Sequence, residues 1–433
     1  MVQFNVRRAL MLATSLTALS CGAAQAGGFA LREQSAAGQG ASFAGAAAGG
    51  AGLGSMFWNP ATMTQYRGWQ TAFTITGIAP QSNISAKATT PTYAYGPESG
   101  DIGRSAVVPA SAASYQLNDR VWLGVSVNAP HGLVTKAPLN WAGQVYARTS
   151  KIFSTNVNPN VAYKVNDWFS VAAGVQVEYF KTSLKSALGV TPNATGLTLE
   201  GDGVGYGFTA GVLLTPFAGF DLGVGYRSRM TIGLSGSVTN FPFPGPTLAG
   251  TNIEADVKLP ESLNIGARYQ VSKDLTLLAG YEWTNWSLFN SFPVTSTGPV
   301  ASGSRLTSLA FGWRDGWFSS VGAEYKWNDA LTLRTGLGYE RSPVSLATRA
   351  LRLPDADRIW ASAGLSYKLS PKATVDLGYT RIFTKDGEIA LVPGNPSYNG
   401  SLPFYATTKG SVDIVAVGLR YALSEPAPVR ARY

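Results

Sequence analysis

The connections between the apolar segments of this chain alternate strictly between very short and long. The short joints are Asn118-Asp119, Asn166-Asp167, residues 215–219, Ser272-Lys273-Asp274, Asn328-Asp329 and Ser370-Pro371-Lys372. Between them fall long stretches rich in Gly, Pro, Ser, Thr and Asn, such as 81–103, 187–201, 291–315 and 386–411. A barrel of the bacterial outer membrane needs this asymmetry, with tight turns on the periplasmic side and long loops outside. A soluble sandwich or propeller has no reason to sort loop length by parity.

The segments between the joints number about fourteen, an even count that leaves both chain ends in the periplasm. They are 68–79, 106–116, 121–129, 151–164, 169–185, 203–214, 221–235, 253–269, 275–289, 317–327, 331–341, 358–368, 374–384 and 412–423. Several alternate with a period of two. Leu331, Leu333, Leu337 and Tyr339 share one face, and Thr332, Arg334, Gly336, Gly338 and Glu340 the other. Val171, Val175, Val177 and Tyr179 alternate with Gly174, Gln176 and Glu178. The apolar set is expected to face lipid and the polar set the lumen. Trp122, Trp168, Trp317 and Trp327 at strand ends fit interfacial girdles, although packing beside a turn explains such aromatics equally well.

The front of the chain agrees with this compartment. Arg7-Arg8, an apolar run over 9–19 too short to span a bilayer, and Ala24-Gln25-Ala26 before Gly27 read as a secretory signal peptide over 1–26. Cys21 opens a lipoprotein alternative, which Ala18-Leu19-Ser20 match poorly. Cleavage after Ala26 leaves no cysteine, so no disulfide. Beyond the signal no apolar stretch is long enough for a membrane helix. Yet 45% of residues are hydrophobic and 14% charged, against about a quarter charged in soluble chains. Alternating strands hide such apolar content from hydropathy. The net charge of +9 comes without a Lys/Arg run, which argues against nucleic acid and for a lumen that attracts anions.

Residues 27–66 do not read as wall. They are rich in Gly and Ala and lack strand alternation, but Phe29, Phe43, Phe57 and Trp58 give them something to bury. A barrel this wide has a lumen that a plug can fill. The expected organisation is therefore an all-β, 14-stranded antiparallel transmembrane barrel with an N-terminal hatch in its lumen. Its parts are a signal peptide (1–26), the hatch (27–66), the barrel (67–423) and a C-terminal extension (424–433).

The order of several motifs resembles one family over essentially the whole mature chain. The plug carries Gly28-Phe29, Ser35, Gly38, Gly40, Ala44-Gly45 and Asn59-Pro60-Ala61. Then come Gly207-Phe208 with Gly211, Tyr226-Arg227-Ser228, Leu259-Pro260-Glu261 and Trp283-Thr284-Asn285-Trp286. Most specific is Ser342-Pro343-Val344 followed by Leu353-Pro354-Asp355-Ala356-Asp357-Arg358-Ile359-Trp360, Ser362 and Gly364. In these the chain is similar to the long-chain fatty acid transporters of the outer membrane, which include uptake channels for aromatic hydrocarbons such as toluene. The resemblance implies a fourteen-stranded barrel with a hatch. Two departures stand out: Gly49-Gly50-Ala51-Gly52 where many relatives carry an acidic pair, and residues 424–433 after Tyr421-Ala422-Leu423, where relatives end on an aromatic. Either the barrel-assembly machinery tolerates an internal signal or Tyr433 substitutes for it.

The resemblance also implies a mechanism. Lipopolysaccharide blocks simple passage of an amphipathic acid, so extracellular loops capture it; residues 241–244 and Leu288, Phe289 and Phe292 are candidates for the landing surface. The tail enters a lumenal pocket, where a desolvated carboxylate needs a cation. The motif alignment puts the ligand carboxylate on Lys181 and Arg314; the competing reading is ordinary charges paired with Glu178 or Asp315. Release is sideways through a break in the third strand, where this chain has Asn128, Pro130 and Gly132. Pro130 cannot donate a ladder bond and Gly132 tolerates unusual angles, although Pro130 also suits the start of a loop. His131, the single histidine, reads as a loop residue.

No catalytic residue, metal ligand set or cofactor is expected, because one histidine and no mature cysteine do not build the usual clusters. Three functions stand: uptake of a hydrophobic substrate, general diffusion, and a membrane lipid hydrolase using His131. The first is favoured, with fatty acids ahead of aromatic or alkane hydrocarbons. The expected setting is a monomer in the outer membrane of a Gram-negative cell, in contact with lipopolysaccharide and outer-membrane lipid.

Overall fold

In the computed structural model, residues 27–241, 248–299, 302–400 and 402–424 are described. The expected signal peptide (1–26) and all of the extension beyond Ser424 lie outside them. The chain forms a closed antiparallel barrel of 14 strands. Its wall strands are β1 (Trp69–Ala86), β2 (Ala106–Gln116), β3 (Val121–Asn128, resuming as Gly132–Lys136), β4 (Thr149–Lys164), β5 (Phe169–Ala187) and β6 (Gly196–Phe217). They continue with β7 (Phe220–Arg227 and Met230–Phe241), β8 (Leu248–Leu259 and Ser262–Gln270), β9 (Leu275–Thr284 and Ser291–Ser296) and β10 (Arg305–Ala310 and Gly316–Lys326). The last four are β11 (Leu331–Arg341), β12 (Arg358–Lys368), β13 (Ala373–Thr384) and β14 (Phe404–Ala422). The barrel closes where β1 pairs with β14 from Gln70↔Ala422 to Ala86↔Ala406.

The short joints work as their composition requires. The Asn118 side chain accepts from the backbone of Arg120 and Val121 at 2.9 and 3.0 Å, and Asn328 repeats this with Ala330 and Leu331. An Asx turn of this kind supplies the acceptors that a tight reversal would otherwise leave missing. The alternation is as expected in β5 and β11: Val175, Val177, Leu333 and Leu337 are exposed on the outer face, while Gln176, Glu178 and Glu340 are buried inside. Trp168 and Trp327 are exposed at the turn end. Trp122 corrects the girdle expectation, since it points inward, is 2% exposed and donates its indole N–H to the Tyr66 carbonyl at 2.7 Å. The long joints are also more ordered than their composition suggests. Residues 291–296 and 305–310 extend β9 and β10 upward and pair with each other.

Residues 27–66 are buried almost throughout. They fold into one short α-helix, Ala36–Gln39, and three 3-10 turns, Ala46–Ala48, Gly52–Phe57 and Pro60–Gln65. Inward glycines of the wall let this segment lie directly on the strands. A Cβ at Gly223 would sit 1.8 Å from the Ala47 carbonyl oxygen, and one at Gly225 equally close to that of Trp58. Polar side chains then fix its position. Ser42 and Ser362 hydroxyls are 2.7 Å apart, and Asn59 donates to the Val212 carbonyl at 2.8 Å. Arg32 is gripped by Glu282 at 2.7 Å and by Glu340, with its guanidinium 4.4 Å from the Phe318 ring centre. Such a buried cation is tolerable because two carboxylates compensate its desolvation.

Candidate functional site

Above this segment, toward the long loops, lies an apolar cavity of about 100 Å³. Inward residues of β3 to β9 build its sides, among them Leu133, Ile152, Phe180, Leu234 and Val257. Its floor is Phe29, 1% exposed, whose ring lies 4.8 Å from Trp286, 5.0 Å from Phe289 and 5.9 Å from Trp313. A second cavity of about 300 Å³ sits higher among the loops. The two share Leu199, Leu309, Phe311, Trp313, Arg352 and Leu353. Phe289 and Phe292, expected on a landing surface, are instead buried in the wall of the lower cavity. Phe241 borders the upper one; residues 242–244 lie outside the described residues.

One cation reaches both cavities, and it is Arg352. Its guanidinium touches only backbone carbonyls, those of Lys185 at 3.3 Å and Thr149 at 3.5 Å. Among the described residues no carboxylate lies within ion-pair distance of it. Burial without a counter-ion pushes its pKa down to about 10, because the charged form loses hydration. Ser150, also lining the lower cavity, buries a hydroxyl that has no partner. A carboxylate placed between them would satisfy both groups.

Lys181 and Arg314 do not line either cavity. Lys181 is exposed on the outer face of β5, one residue past the inward Phe180; strand alternation turns it away from the lumen. Arg314 is exposed and bonds the Ser342 carbonyl at 3.4 Å. The alternative pairings fail as well. Glu178 receives the His131 ring at 2.7 Å and Asn156 at 3.2 Å; Asp315 receives the Trp283 indole and the Ser287 backbone, both at 3.1 Å. Arg352 escaped the sequence reading. Its one signal is an arginine set between leucines in Leu351-Arg352-Leu353.

The third strand is broken where Pro130 stands. β3 pairs with β2 only up to Ser111↔Val127, although β2 stays paired with β1 as far as Ala106. Residues 106–110 of β2 therefore have no ladder partner on the β3 side. The freed backbone of β3 turns inward to the N-terminal segment. Leu31 donates its N–H to the Pro130 carbonyl at 2.8 Å, and Gly132 donates to the Phe29 carbonyl at 2.9 Å. Gln34 donates to the Ala129 carbonyl at 2.9 Å and accepts from the Asn128 side chain at 3.1 Å. A Cβ at Gly132 would press on Leu31 at 2.8 Å. His131 is not a loop residue: it is buried in the break, 5.6 Å from the Phe29 ring.

The remaining expected residues of the segment hold its course. Gly28, at φ 67, donates to Asp355 at 3.0 Å. Ser35 caps the short helix by accepting from Gly38, and donates to the Ala51 carbonyl at 2.8 Å. Gly40 lies against Gly364, where a Cβ would come within 2.8 Å. Asn59 caps the turn that Pro60 opens, accepting from Ala61 at 3.0 Å.

Comparison with known proteins follows the same lines. Residues 17–423 match the family described as outer membrane protein transport protein (OMPP1/FadL/TodX). The chain is 26% identical over 392 residues to the long-chain fatty acid transport protein of Escherichia coli O157:H7, covering 81% of this chain and 86% of that protein. In structure it is similar to a Pseudomonas aeruginosa FadL homologue (TM-score 0.82, 24% identity, 92% and 100% of the two chains). It also resembles the Ralstonia pickettii toluene transporter TbuX (TM-score 0.67, 18% identity, 90% and 99%).

Proposed function

The chain belongs to the outer membrane protein transport protein family (OMPP1/FadL/TodX), and from that premise we propose that it takes up long-chain fatty acids across the outer membrane. The observation that carries this reading is Arg352, a half-buried cation with no carboxylate in ion-pair distance among the described residues, at the junction of two apolar cavities. An acid descends from the upper cavity, leaves its carboxylate at Arg352 and Ser150, and lays its tail against Phe29. Burying the tail drives capture, at about 0.8 kcal/mol per CH₂ group. Residues 27–66 act as the hatch of a barrel spanning 67–423, which follows a signal peptide over 1–26 and precedes an extension over 424–433. The protein acts as a monomer inserted by the barrel-assembly machinery.

Release is lateral. Phe29 stands between the cavity floor and the break in β3, and its carbonyl holds Gly132. Withdrawal of residues 27–31 would free both at once and open the strip beside Asn128, Pro130 and Gly132 toward the bilayer. The lipid-facing neighbours Ile75, Val125 and Val127 are exposed at this level, so an apolar tail leaves into a medium that solvates it.

A second reading, uptake of aromatic or alkane hydrocarbons, is favoured by the ring cluster of Phe29, Trp286, Phe289, Phe311 and Trp313 at the cavity floor. One experiment separates the two. Arg352→Ala should weaken binding of a long-chain fatty acid by about 1–3 kcal/mol, the scale of a bond to a charged group, and leave its methyl ester unaffected. Equal acid binding by parent and variant would remove Arg352 from the site, and a parent that prefers toluene to the acid would favour the second reading.

A further inference from the structure

The outer face of the wall beside the break carries a set of charges that uptake does not use. Lys136 on β3, Lys151 on β4, and Lys181 and Lys185 on β5 are all exposed. They lie close together across the sheet. Thr149 of β4 is in register with Lys136 on one side and Lys185 on the other, Lys151 with Ser183, and Phe153 with Lys181. Their inward neighbours, Thr135, Ser150, Phe180 and Leu184, are buried, so alternation turns the four ammonium groups outward. None of the four makes an ion pair among the described residues. Two carboxylates on β6 border the patch and offset part of its charge: Asp202 stands across from Lys181, and Glu200 across from Ser183, whose hydroxyl it accepts at 2.8 Å; the four lysines leave it net positive.

The other side of the rim is built differently. There Lys87 pairs with Glu388 at 3.0 Å, Lys385 with Asp357 at 3.6 Å and Lys409 with Asp386 at 3.4 Å. Among the described residues Lys258 on β8 and Lys368 on β12 also lack an ion pair but stand singly, whereas β3–β5 gather four such lysines. Just below them the outer face becomes apolar, with Phe153 and Tyr179 6.3 Å apart and then Val157 and Val177 exposed. Cations above an aromatic and aliphatic band match a molecule with anionic phosphates on top and acyl chains beneath.

We propose that this face of β3–β5 is a binding site for the phosphorylated saccharolipid of the outer leaflet, lipopolysaccharide. The lysines take its phosphates, and Phe153 and Tyr179 cover its acyl chains. The bound lipid stands next to the break in β3.

The full chain in detergent is titrated with bisphosphorylated lipid A, and binding is followed by native mass spectrometry. K136Q/K151Q/K181Q/K185Q should bind it about tenfold or more weakly, since each lysine near a membrane surface contributes to anionic-lipid attraction. K87Q/K385Q/K409Q, which removes as many as three charges from the paired side, should bind like the parent. Dephosphorylated lipid A should not distinguish the proteins. If the quadruple variant fails to assemble, K181Q/K185Q must show a partial loss. Unchanged binding in the lysine variants, an equal loss in the paired-side control, or full displacement of lipid A by millimolar inorganic phosphate would each overturn the proposal.

Discussion

Of the interruptions in the wall strands, those of β7–β8 and of β3 have opposite results at their seams. In β7 and β8 the interruptions are two residues each, Ser228-Arg229 and Pro260-Glu261, and they face one another. Pairing resumes directly above and below them, at Met230↔Leu259 and Arg227↔Ser262. On the β6 side Ser228 bonds Phe208 through its backbone and hydroxyl at 2.9 and 2.8 Å, and the ladder resumes at Asp202↔Ser235, so residues 203–207 of β6 are left without a ladder partner toward β7. In β3 the interruption is three residues, 129–131, and β2 has no matching bend. The ladder to β2 ends at Ser111↔Val127 and touches again only at the single bridge between Thr135 and Gly103, while the N-terminal segment takes up the freed groups of β3. A proline is present at both places, so proline alone does not open a wall. The matched bends keep the β7–β8 seam continuous, whereas the unmatched one in β3 interrupts the seam with β2 and receives the N-terminal segment. In a membrane every backbone group needs a partner. Pro109, in the unpaired strip of β2, has no N–H to leave orphaned.

Arg32 anchors the segment that fills the β3 gap, and Arg32→Ala would leave Glu282 as an uncompensated charge inside the barrel and Glu340 with Arg358, at 3.8 Å, as its remaining cation. The expected loss is about 3–5 kcal/mol, the usual cost of breaking a buried pair from one side. Urea unfolding and protease sensitivity of residues 27–35 would measure it. Unchanged resistance would mean the segment is held by packing alone. A smaller effect sharpens the contrast between the two prolines. Pro130→Val restores a donor and a strand former beside β2, and should lower fatty acid uptake by about tenfold with barrel assembly intact. Pro260→Ala, in a bend already matched by β7, should change uptake by no more than about twofold and stability by about 0.5 kcal/mol. Equal effects of the two substitutions on uptake would erase the distinction drawn here.

Much of the wall was legible because its two signals are local. Period-two alternation marks Leu331 to Tyr339, and an Asn or Ser that caps its own turn marks Asn118, Asn328 and Ser370. The upper halves of β9 and β10 were not, because Pro293, Ser296 and Ser308 read as loop, and their partners (Ser308 for Pro293, Ile253 for Ser296) are not marked by any local period. The placement of the break was legible from Pro130 and Gly132, but its filling was not, since Phe29 and Gly132 meet across a hundred residues. Lys181 shows how alternation outranks motif alignment. Glu178 faces the lumen, so Phe180 does too, and Lys181 must share the outer face with Tyr179. Arg352 depends on the path of a loop, which no period reveals.

On the proposed lateral route, residues 27–31 must leave the β3 break for substrate to pass. Ala30 and His131 form an antiparallel bridge whose flanking bonds, Leu31 to Pro130 and Gly132 to Phe29, make it a non-hydrogen-bonded pair. Such pairs hold their Cα atoms about 4.5 Å apart, within disulfide reach. In an A30C/H131C protein the oxidised form should fold as a barrel yet take up labelled fatty acid no faster than cells lacking the protein, and reduction should restore transport to the level of H131C alone. Full transport by the quantitatively crosslinked protein would contradict the account, because substrate would then be leaving without disturbing the break.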